Sequence, residues 1–181
     1  MSMTGTYTEA ETRGQTQEQA TMNAEPQAEH RWLQKLVGEW ACEGEGVIEP
    51  GNPPVRFEST LTTRSIGELW IVAEDRGDMP GSGPSTTIMT LGYDPQKERF
   101  VGTFIGSMMT HLWQYSGELD ATENVLTLET EGPSMSTEGK MERYKDVIEI
   151  KGDNRYVLSS YVRDENGNWW QFMTARCHRE K

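Results

Sequence analysis

The sequence predicts an all-β protein: an antiparallel up-and-down barrel of about ten strands, preceded by a short N-terminal helix. Three observations carry that expectation. Apolar and polar residues alternate with period two from Glu39 almost to the end of the chain. Turn residues punctuate the alternation at Gly51-Asn52-Pro53-Pro54, Ile66-Gly67, Asp94-Pro95, Asp120-Ala121-Thr122, Gly152-Asp153-Asn154 and Asn166-Gly167. Only one stretch has helical spacing, and an open sheet of so many strands would leave two exposed edges that closure removes.

The elements follow in order. Residues 1–25 are rich in Thr, Gln, Glu and Ala and hold almost no large apolar side chain, so they are expected to form a disordered tail. Residues 26–181 are then one barrel domain, long enough to bury a core. Pro26 suits a first helical turn, where its missing N–H has no partner to lose. Trp32, Leu33, Leu36 and Val37 form the apolar stripe of that helix, and Gly38 ends it. Strands are expected near Glu39–Glu49, Arg56–Ile66, Glu68–Asp78, Ser85–Tyr93, Arg99–Ile105, Thr110–Asp120, Asn124–Glu131, Lys140–Ile150, Arg155–Arg163 and Asn168–His178. The segment Met79-Pro80-Gly81-Ser82-Gly83-Pro84 reads either as a flap over a barrel mouth or as an ordinary hairpin connection.

The net charge of −12 repels phosphate backbones and anionic lipid surfaces, so neither nucleic acid nor membrane is an expected partner. The longest apolar run, Leu69–Ala73, is far too short to span a bilayer. No basic segment followed by an apolar one opens the chain, so a cytoplasmic setting is expected. Two cysteines, Cys42 and Cys177, are too few for a disulfide scaffold or a zinc ribbon. Barrel closure would bring them together across the seam, with Cα atoms within about 12 Å. In a reducing cytoplasm they would be free thiols acting as small core residues.

Alternation also assigns faces. In the sixth strand Met109, His111, Trp113, Tyr115, Gly117 and Leu119 share the inner face. In the eighth, Tyr144 and Asp146 share the face of Ile148 and Ile150. In the third, Glu74 and Arg76 share the face of Trp70 and Val72, which is taken as inner. The last strand has two equally apolar faces, Trp170–Phe172 and Trp169–Met173–Ala175–Cys177, and alternation does not choose between them. Aromatic and ionisable groups mixed on inner faces point to a cavity with a few polar groups, because unpaired charge is costly in a solid core. The same groups can instead pair with each other near a wet barrel end.

Gly38-Glu39-Trp40, at the junction of helix and first strand, resembles the opening signature of calycin, or lipocalin-type, barrels. That resemblance implies a Trp plugging the closed end under a basic residue from the last strand, here Arg176 or Arg179. Trp40-Ala41-Cys42-Glu43-Gly44-Glu45-Gly46 is also similar to the start of nitrobindin-like haem barrels. Residues 79–95, Phe100–Trp113 and Lys140–Glu149 resemble segments of the bacterial DUF1579 family, a likeness that covers about Glu29–Arg179. The family brings no known reaction.

His111 is the centre of the candidate chemistry. A haem needs one axial ligand, and His111 or His178 is the candidate. The nitrobindin resemblance implies a ligand near the C-terminus and so favours His178. His30, His111 and His178 lack metal-site spacing, and no metal is expected. Ser107 with His111 and Asp146 makes no nucleophile elbow. An acid–base enzyme of isomerase or cyclase type is the better catalytic reading. There His111 moves a proton, Asp146 or Glu74 orients it, and Tyr115 or Tyr144 holds a carbonyl. The leading reading is binding of a small, largely apolar molecule by His111, Trp113, Tyr115, Tyr144 and Asp146, with Glu74 and Arg76 as further candidates. A third reading is an interaction module that works through the acidic surface.

Overall fold

The computed structural model describes residues 24–47, 51–79 and 83–180. The N-terminal tail, and Pro80 to Ser82 of the segment read as a possible flap, lie outside the described residues. Helix α1 (Ala28–Leu33) continues into a short 3-10 turn (Gln34–Leu36). The ten strands are β1 (Gly38–Gly46), β2 (Val55–Ile66), β3 (Trp70–Met79), β4 (Gly83–Asp94), β5 (Arg99–Gly106), β6 (Trp113–Leu119), β7 (Val125–Pro133), β8 (Met141–Ile150), β9 (Arg155–Arg163) and β10 (Trp169–Arg179). Each pairs antiparallel with its sequence neighbours, and β1 pairs with β10, so the sheet is a closed barrel.

Helix α1 covers one end. Its Trp32, Leu33 and the following Leu36 are buried. The Trp32 indole donates to the Glu123 carbonyl, 2.8 Å away in the β6–β7 turn. The His30 ring meets the Tyr93 carbonyl at 3.1 Å, and its other nitrogen accepts from the Gln27 N–H at 3.0 Å. A six-residue helix has little stability of its own, so these tertiary contacts hold it.

The seam is tight. Cys42 and Cys177 stand opposite each other in the β1–β10 register and form a disulfide, with Cα atoms 4.1 Å apart. Their proximity follows from closure, but the expectation of free thiols is corrected. Two cysteines facing each other on adjacent strands bring their sulfurs within bonding reach.

Two further corrections concern strand phase. In β3 the inner residues are Ile71, Ala73 and Asp75, not Trp70, Val72, Glu74 and Arg76. Trp70 is 40% exposed and lies flat on the outside over Gly92 of β4. A Cβ at Gly92 would stand 2.4 Å from the indole, so only glycine leaves room for it. In β10 a bulge between Gln171 and Met173 switches the inner face. Trp170 stands opposite Val162 before the bulge and Met173 opposite Ser160 after it. Each of the two candidate faces is thus inner over half of the strand, because an extra residue reverses the alternation.

Candidate functional site: the barrel interior

Between the helix-covered end and the middle of the barrel lies a cavity of about 220 Å³. Leu36 reaches it from the helix side, and Leu61, Ile71, Met89, Leu91, Phe104 and Ile148 supply apolar wall from five strands. The Cys42–Cys177 disulfide is part of the same wall. Ser59, Thr63 and Thr87 add hydroxyls, and Asp75 is the one ionisable carboxylate.

Asp75 is unusual in this setting. Its Oδ1 is buried and has no hydrogen-bond partner. Burial pushes its pKa up, and a hydrogen bond with the Ser59 side chain pulls the other way. Among the described residues no Lys or Arg makes an ion pair with it. Tyr156, also in the wall, has its phenol pushed up by burial and by the Asp75 charge.

A second polar group sits elsewhere in the interior. The Tyr115 hydroxyl donates to Oδ2 of Asp146, and Ser160 donates to Oδ1 at 2.5 Å. Burial raises the Asp146 pKa, and those two hydrogen bonds lower it. Tyr115 is pushed well above its usual value by burial, by the Asp146 charge and by the shared hydrogen bond. Both carboxylate oxygens are committed, so this cluster is a satisfied buried network.

The third group lies at the barrel end opposite the helix. His111 precedes β6, half-buried. Its Nε2 meets the Glu131 carbonyl at 3.2 Å, and its ring packs edge-on to Trp113 at 5.0 Å. Trp113 packs edge-on to Tyr144 at 5.0 Å, and Tyr144 to Phe172 at 6.1 Å. The Tyr144 hydroxyl donates to the Pro133 carbonyl at 2.7 Å. Gly132 leaves space for the Trp113 ring, since a Cβ there would stand 2.1 Å from it.

The sequence-predicted residues are therefore divided among three places. Tyr115 and Asp146 meet each other, and Trp113, Tyr144 and His111 meet at the far end. His111 and Asp146 have no partner in common. Glu74 and Arg76 point outward and pair with one another, the Arg76 Nε donating to the Glu74 carboxylate at 2.7 Å. That removes them from the interior, because Trp70 set the expected phase and Trp70 lies outside. Asp75 was missed for the same reason, and Ser59 lies on β2, whose faces were not assigned from the sequence. The readable signal was Gly92, whose lack of a side chain permits the external indole.

No histidine lines the cavity, so it offers no imidazole to a haem. His178 is exposed on the barrel exterior, 4.0 Å from Glu43. Among the described residues no group of three His, Cys, Asp or Glu is placed to hold a metal ion. No described helix is long and apolar enough to cross a membrane.

The covered end has the arrangement that the calycin resemblance implied. The Arg179 guanidinium lies over the buried Trp40 ring, 4.2 Å from its centre, and donates to the Val37 and Lys35 carbonyls at 2.5 and 2.9 Å. Arg176 is exposed and takes no part. Closed sheet, capping helix and Arg-over-Trp end define a calycin-like antiparallel barrel. The chain belongs to the DUF1579 family, described as a protein of unknown function, which matches residues 25–179.

Rv2717c from M. tuberculosis is similar in fold, with a TM-score of 0.57 and 14% identity over 87% of this chain and 100% of that one. A redesigned β-barrel has a TM-score of 0.45 and 10% identity, over 83% of this chain and 96% of its own. EF1p2_mFAP2b bound to DFHBI has a TM-score of 0.45 and 12% identity, over 83% and 98%. No curated protein matches the chain.

Proposed function

We propose that this protein binds a small, largely apolar molecule with a polar handle inside the barrel. The observation that carries the reading is the cavity of about 220 Å³, apolar except for Asp75 and the hydroxyls of Ser59, Thr63, Thr87 and Tyr156. Small-molecule sites have this composition: concave, mostly apolar, with a few convergent polar groups. An apolar cavity of about 150 Å³ already holds benzene. This one suits a single ring with a short substituent. Asp75 receives the polar handle, in place of the His111 and Asp146 of the sequence reading. We assign Trp113 and Tyr144 to the wall of the opposite barrel end, by which a ligand would enter.

Native mass spectrometry of the protein purified from its own host tests the reading. The expected result is a stoichiometric small apolar mass that is lost in an Ala73→Phe variant, whose added ring fills the cavity. Bare protein from the host, together with no binding of ethylbenzene or 2-phenylethanol by the purified chain, would reject it.

A further inference from the structure

We infer that the molecule taken by this cavity is a small apolar amine, its ammonium paired with the Asp75 carboxylate. The inference rests on the ligand-binding reading above and names the class of ligand. Four observations converge on it. Asp75 lines the largely apolar cavity, and its buried Oδ1 has no hydrogen-bond donor. The lining holds no Lys, Arg or His that would serve as counter-ion. The nearest basic residue in sequence, Arg76, is turned outward and paired with Glu74. The net charge of −12 makes the whole chain attractive to cations and repellent to anions.

A buried carboxylate is tolerated where it is paired and hydrogen-bonded. Ser59 supplies a hydrogen bond, and no group of the cavity wall supplies the positive charge. A primary or secondary ammonium supplies both a charge and a donor, while its apolar body covers Leu61, Ile71, Leu91 and Phe104. A carboxylate or phosphate ligand would place like charges together and is excluded by the same geometry. An alcohol satisfies the hydrogen bond but leaves the charge uncompensated.

Four probes on one scaffold test this by calorimetry at neutral pH: 2-phenylethylamine, 2-phenylethanol, ethylbenzene and phenylacetate. The amine should bind at least about tenfold more tightly than the alcohol, as a charge-assisted hydrogen bond exceeds a neutral one. Phenylacetate should bind most weakly. Asp75→Asn should abolish the preference for the amine while ethylbenzene still binds. If ethylbenzene and the alcohol bind but the amine is no tighter, the amine inference falls and the cavity-binding reading stands. If none of the four binds, both fall. The comparison within the unmodified protein decides the matter whether or not the Asn variant folds.

Discussion

Arg179 closes the barrel by lying 4.2 Å over the ring of Trp40 while its guanidinium holds the carbonyls of Val37, Lys35 and Asp153. One side chain thus ties the last strand to the 3-10 turn, to the start of β1 and to the β8–β9 turn. Gly38 makes room for it: its φ is +137°, and a Cβ there would stand 2.3 Å from the guanidinium. Arg179→Ala should lower stability by roughly 2–3 kcal/mol, summing a shielded cation–π contact and several hydrogen bonds. Arg179→Lys should recover little, because an ammonium cannot fork to several carbonyls. Urea denaturation measures both, and a loss below about 0.5 kcal/mol for Ala would show that the contact is ornamental.

The Cys42–Cys177 bond joins residues 135 positions apart and so restrains most of the unfolded chain. Reduction, or a Cys42→Ser with Cys177→Ser variant, should cost about 2–4 kcal/mol, a drop of roughly 5–15 °C in Tm. A cystine belongs with an oxidising setting. Thiol alkylation at the moment of lysis from the native host should therefore find no free cysteine. Two free thiols would show that the pair is reduced in its host.

Asp75 gives a pH signature. Burial raises its folded pKa above the unfolded 3.8, and Ser59 offsets only part of the shift. The folded chain then binds the Asp75 proton more tightly than the unfolded chain does. The stability this contributes is complete below the unfolded value and is lost as pH rises through the folded one. Asp75→Asn lacks that slope. The variant should gain on the wild type as pH rises above about 4, and the gain should vanish at lower pH. A difference that does not change with pH would mean that the buried charge is already compensated.

Tyr115→Phe removes one of the two donors to Asp146. The expected loss is about 1–3 kcal/mol at neutral pH, since a buried acceptor is left short of a partner. Probe binding in the cavity should be unchanged, because neither Tyr115 nor Asp146 lines it. Lost binding with retained stability would instead place the ligand against the Tyr115–Asp146 pair.

His111→Ala should change stability by less than about 0.5 kcal/mol, as expected for a half-buried residue with one hydrogen bond to a carbonyl. Ethylbenzene affinity should stay within about twofold. A tenfold loss would show that the cavity extends to the Trp113 end.

The sequence by itself determined the barrel, its strand count and its closed end. Period-two alternation and turn residues are local signals, and the Gly38–Trp40 signature belongs to one short segment. Local alternation also turned Trp113, Tyr115, Tyr144 and Asp146 inward correctly. Only the tertiary structure decided the phase of β3, the switch in β10, the bond between the cysteines and the place of Asp75. Each depends on a neighbour distant in sequence. Gly92 on β4 admits the external Trp70, the bulge in β10 is set against β9, and Cys42 needs Cys177 across the seam. Faces read from one strand fail where the adjacent strand supplies the space. For that reason the carboxylate that lines the cavity, Asp75, lay one residue away from Glu74 and Arg76, the side chains expected there.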